Sequence, residues 1–127
     1  MVIGEVIKLR EILDKLYEQS IGFSISLSYN LFMLRKEIHQ MFNFIFERLY
    51  MVLGDDVDFT NLSPEAKVIF DSIMSSEILT DDIEKYINGI DFQEFISNKE
   101  VKLTMNEMAL MNKIFNKGMS DDREGES

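Results

Sequence analysis

Asp55, Asp56 and Asp58 are the residues whose type and spacing come closest to metal chemistry, being oxygen donors near enough along the chain to hold a hard divalent cation. A calcium loop also needs a glycine at its sixth position and a glutamate at its twelfth. Neither is present counting from any of the three aspartates, so the stretch reads as a solvated acidic loop. Asp58 followed by Glu65-Ala66-Lys67 has the spacing of a nuclease-like acid-x-lysine pair. Such a pair lies on a strand, whereas Ser63 and Pro64 make this one the opening of a helix. His39 is the only histidine and the chain has no cysteine, so a metal ligand set would have to be carboxylates almost alone. It reads as a surface or boundary residue. No serine has a His/Asp set to activate it, and no glycine-rich phosphate loop is present. The expectation is no enzyme, no cofactor and no metal.

Composition agrees with a folded, soluble protein of one domain. The chain has 127 residues, 46% of them hydrophobic, with one proline and six glycines, enough apolar content for a modest core and little room for a linker. Residues 1–53 carry six Lys/Arg and six Asp/Glu. Of the totals of 13 and 23, this leaves 13 − 6 = 7 basic against 23 − 6 = 17 acidic residues for 54–127, so the net charge of −10 belongs to the second part. That balance opposes direct contact with nucleic acid or anionic lipid, which needs clustered Lys/Arg. The charged N-terminal stretch reads as a helix and not as a signal peptide, and Met41 to Leu53 is too short and carries Glu47 and Arg48, so no membrane span is expected. Cytoplasmic location is the default expectation.

The positioning elements are helices. Val6, Leu9, Leu13 and Leu16 predict a first amphipathic helix over 2–19, about 27 Å long. Ser20 to Phe23 breaks it, with Gly22 as the flexible position and Ser24 or Ser26 as the next cap. Leu27, Leu31, Leu34, Ile38, Met41 and Ile45 then predict a second helix over 24–53, about 45 Å long, antiparallel to the first and overhanging it toward residue 53. Gly54 stops it. Ser63, Pro64 and Glu65 open a third helix over 63–76, with Ala66, Ile69, Phe70, Ile73 and Met74 as its buried face. Thr80, Asp81 and Asp82 start a fourth over 80–88, ended by Gly89. Asp91 to Leu103 is ambiguous between a helical turn and an extended run, with helix followed by an extended linker preferred. Thr104 and Glu107 form a capping box for a last helix over 104–117, with Leu103 and Met108 at the staple positions. Residues 119–127 are polar and charged and are expected to be disordered. The fold class is therefore all-α: a long N-terminal helical hairpin with shorter C-terminal helices, within 1–118.

On the overhang lie Phe42, Phe44, Phe46, Tyr50 and Met51, apolar on nearly every side. At 100° per residue Phe42, Phe44 and Phe46 point in different directions, so one side is expected to be core and another a partner surface. Met105, Met108 and Met111 lie at helical spacing and read as core before they read as an adaptable binding face.

Ile7-Lys8-Leu9-Arg10-Glu11-Ile12-Leu13, then Leu27-Ser28-Tyr29-Asn30-Leu31 opening a helix through Leu34-Arg35-Lys36-Glu37-Ile38, resembles a family of small uncharacterised bacteriophage proteins that begin with a comparable hairpin. Phe95 to Leu103 followed by Met105 to Phe115 is similar to the end of that pattern. The resemblance implies a phage origin and a non-enzymatic role. Two functions are expected to compete. One is protein–protein interaction through the hairpin, with a partner protein or a second copy. The other is an acidic decoy, presenting Asp55, Asp56, Asp58, Asp81, Asp82 and Glu84 to the nucleic-acid groove of a host protein.

Overall fold

A computed structural model describes residues 1–78 and 81–115. The protein is all-α, with helices α1 (Ile3–Glu18), α2 (Ile25–Leu53), α3 (Pro64–Met74), α4 (Asp81–Asn88), α5 (Phe92–Ser97) and α6 (Met105–Phe115). The stretch left ambiguous by periodicity is helical over α5 and irregular from Asn98 to Thr104. The cap at Thr80, the end of the last helix beyond Phe115 and the tail 119–127 lie outside the described residues.

The three-four rhythm of α1 and α2 does what it predicts. Val6, Leu9, Leu13 and Leu16 are buried with Leu27, Leu31, Leu34, Ile38, Ile45 and Leu49 in one core cluster, which Ile83, Tyr86, Phe92, Phe95 and Met111 complete. Each fully buried leucine or isoleucine contributes about 1.5–3 kcal/mol. Met41 is half-buried at the edge of this seam.

The hairpin register departs from expectation. Asp14 meets both Arg35 and His39 of α2, and Arg10 lies over the Phe42 ring. At about 1.5 Å per residue in antiparallel helices, Ile3 comes level with Leu49, so α2 overhangs α1 there by only about one turn. The larger excess falls at the other end, where Ile25 to Phe32 runs past the C-terminus of α1 beside the connection 19–24. A tight turn would have placed all of the excess near residue 53. The connection is instead irregular from Ile21 to Ser24, with Phe23 N donating to Ile21 O at 3.2 Å. Its left-handed position is Ser20 (φ 52°), not Gly22.

Local signals explain most helix ends. Ser24 Oγ accepts from Leu27 N, Ser63 Oγ from Ala66 N, and Asp91 Oδ1 from Glu94 N. Gly54 leaves α2 at φ 98°, a conformation that favours glycine. Thr104 and Glu107 cap each other, Thr104 N donating to Glu107 Oε1 at 2.8 Å and Glu107 N to Thr104 Oγ1 at 3.2 Å. Gly89 serves closeness, not a left-handed stop. Asn30 Nδ2 donates to its carbonyl at 3.0 Å, and a Cβ there would sit 2.9 Å from Asn30 Oδ1.

The shorter helices clamp the hairpin. α6 runs antiparallel to α1, tied by Lys15–Glu107 at 2.9 Å and Lys113–Glu5 at 2.8 Å. The chain after α3 pairs with the N-terminal segment, Ile3 N donating to Ser76 O at 3.0 Å and Ile78 N to Met1 O at 2.8 Å. α3 covers less than its pattern implies. Ala66, Phe70, Ile73 and Met74 are half-buried, Ile69 is exposed, and no residue of the helix is fully buried. It lies on one side of the N-terminal segment, with no further layer over it among the described residues.

Candidate interaction surface

The aromatic residues near the end of α2 divide into two sets. Phe42, Phe46 and Tyr50, four residues apart, form a row along the helix. Phe42 and Phe46 rings lie 4.5 Å apart, and Phe59 from the loop after α2 packs edge-on against Phe46 at 5.4 Å and Tyr50 at 5.5 Å. Phe70 of α3 closes the cluster, 5.8 Å from Phe59. Arg10 caps the other end with its guanidinium 4.0 Å from the Phe42 ring centre. The Arg10 Nε is buried without a hydrogen-bond partner, and the ring face offsets part of that cost. Phe42 and Phe46 are thus held in an intramolecular cluster.

Phe44 and Met51 are not. They are 56% and 86% exposed, and being seven residues apart they share one face of α2. Val52 is also exposed, and Tyr50 straddles the cluster and solvent. Glu47 and Asp55 flank Tyr50 and Met51 around a shallow open depression. The last turn of α2 contains no basic residue, so its negative dipole end adds to these carboxylates.

The acidic residues do not gather into a site. Asp55 and Asp56 are exposed. Asp58 builds its own turn: its Oδ1 accepts from Thr60 Oγ1 at 2.6 Å and Thr60 N at 3.0 Å, and these bonds hold its carboxyl below the usual value. Asp81, Asp82 and Glu84 occupy the exposed first turn of α4, where carboxylates complement the helix dipole. Glu65 and Lys67 stand exposed at the start of α3. Among the described residues no group of three or more His, Asp or Glu is arranged to hold a metal. Of the three methionines, Met111 is core, Met108 is half-buried and Met105 is exposed.

A polar seam runs along one edge of the hairpin. Asp14 Oδ1 accepts from Arg35 Nε at 2.8 Å and meets His39 Nε2 at 2.7 Å. Partial burial pushes the Asp14 carboxyl upward. The hydrogen bonds and charges of His39 and Arg35 outweigh it, and the net effect is a pKa below the ordinary 3.8. Arg35 also lies over the Tyr17 ring at 4.3 Å. His39 is therefore a boundary residue with a carboxylate partner.

Sequence reasoning missed a second exposed apolar set, Ile25, Tyr29 and Phe32. Their spacing of four and three, on a different face from Leu27, Leu31 and Leu34, is the signal that marks them. No protein-family model, curated protein or solved structure matches the chain. No helix among the described residues is long and apolar enough to cross a membrane.

Proposed function

We propose that this protein is a non-enzymatic protein-interaction module that binds a protein partner, or its own copy, through the outer face of α2. The observation that carries the reading is the exposure of Phe44 and Met51 on one helix face, after Phe42 and Phe46 have been taken into the intramolecular cluster. Exposed Glu47 and Arg48 lie between Phe44 and Met51 on this face, the mixture of apolar anchors and charged surroundings that protein interfaces use. The resemblance to small phage proteins makes host-cell proteins the first class of partner to test.

Affinity capture with tagged protein from a bacterial lysate, combined with light scattering, tests this. A complex or homo-oligomer that survives moderate salt supports an apolar interface. A monomer at high concentration that retains no protein would sink the proposal.

The decoy reading draws on exposed Asp55, Asp56, Asp81, Asp82 and Glu84. Its distinguishing mark is a complex with a basic nucleic-acid-handling protein that dissociates as salt rises. The first turn of α4 gives Asp81, Asp82 and Glu84 a structural role already, so the apolar face is the stronger argument.

A further inference from the structure

We infer that the cleft at the turn of the hairpin is a binding site for a small amphipathic carboxylate, an acid with an apolar body of about eight to ten heavy atoms. The cleft, half-open to solvent, has a volume of ≈ 270 Å³ and is lined by Leu13, Leu16, Ile21 and Phe32, with Tyr17 and Arg35 at its side. That is room for about nine waters at their share of liquid volume, and apolar walls with one placed charge are the makings of a small-molecule site.

Arg35 supplies the charge. Its Nε is fixed by Asp14 at 2.8 Å and its guanidinium plane lies 4.3 Å from the Tyr17 ring centre. Two restraints on one side chain leave the group oriented before any ligand arrives. No hydrogen bond to its two Nη groups is found among the described residues, and the side chain is 29% exposed. Such a guanidinium matches a carboxylate through paired N–H donors. Ser20 also lines the cleft and adds a hydroxyl donor, while the Ser28 hydroxyl donates to Phe23 O at 3.5 Å. The carboxylates that approach the 19–24 connection come from the acidic part of the chain: Glu94 is held by the Ser24 amide and hydroxyl at 2.8 and 2.7 Å, and Glu100 lies beside Gly22. The inference does not rest on the partner surface near Phe44, which lies toward the other end of α2.

The test uses the full-length ¹⁵N-labelled protein titrated with octanoate, octanol and octylammonium in parallel, followed by amide chemical shifts. Octanoate should move resonances within residues 13–35 and bind about tenfold more tightly than octanol, as expected for charge-assisted hydrogen bonds. Arg35→Gln should erase that preference while octanol binding persists, and Phe32→Ala should weaken both. The spectra report folding of each variant directly. Equal binding of octanoate and octanol to the unaltered protein would overturn the inference, as would no binding or shifts centred on another part of the molecule.

Discussion

Asp14 and Arg35 set the register of the hairpin. The Arg35 Nε donates to Asp14 Oδ1 at 2.8 Å, and His39, one turn along α2, reaches the same oxygen at 2.7 Å. A slip of one turn would leave the half-buried Asp14 carboxylate with only one of these two partners. Removing one partner of such a cluster leaves the other incompletely paired. Asp14→Ala is expected to lower stability by about 1–3 kcal/mol in urea unfolding.

The same cluster fixes a pH dependence. The folded pKa of Asp14 is depressed, so its contribution is complete above the unfolded value and lost as pH falls through the folded one. Glu5 and Glu107 act in the same direction. At Glu5 burial works upward, but Lys113, the Val2 amide and nearby charge prevail; at Glu107 the Thr104 amide leads, followed by Lys15. Stability should therefore decline below about pH 4.5. Asp14→Asn should narrow its deficit against the unaltered protein as pH drops below about 4, read from denaturation midpoints across pH.

Gly89 and Asn30 form a close-approach pair that a double-mutant cycle can resolve. Gly89→Ala pushes a methyl into the Asn30 side chain and disturbs the hydrogen bond to the Gly89 carbonyl. The expected cost is about 1 kcal/mol in the native background. It should be smaller in Asn30→Ala, where the obstructing atoms are gone.

Ser20 holds a left-handed backbone that glycine adopts more readily. Ser20→Gly is expected to be neutral or to stabilise by up to about 1 kcal/mol, measured by thermal or urea unfolding. Gly22→Ala should be tolerated, since its nearest neighbour would be Glu100 Oε1 at 3.6 Å.

What could be read from the chain follows the range of the interaction concerned. The seam from Leu27 to Ile45 and the divergent directions of Phe42, Phe44 and Phe46 follow from helical period alone. Ser63-Pro64 and Thr104–Glu107 are local caps, visible because donor and acceptor lie within one turn. The hairpin register was not legible, because it depends on Asp14 meeting residues of another helix and on an irregular connection. Phe59 was equally hidden. It sits in a loop without period, yet it joins Tyr50 and Phe46 to Phe70 and decides which part of α2 remains exposed.

That division of the aromatic residues gives a stability contrast. Phe46→Ala removes a ring from the cluster and should cost about 2–4 kcal/mol. Phe44→Ala touches an exposed position and should stay within about 0.5 kcal/mol. Urea unfolding of the two variants side by side reads the difference.

The most direct test of the proposed binding face is Phe44→Glu/Met51→Glu, compared with the unaltered protein by light scattering and affinity capture at moderate salt, with circular dichroism as the control for folding. The account predicts an unchanged helical spectrum and loss of the oligomer or captured partner. A folded double variant that keeps the same association would contradict it.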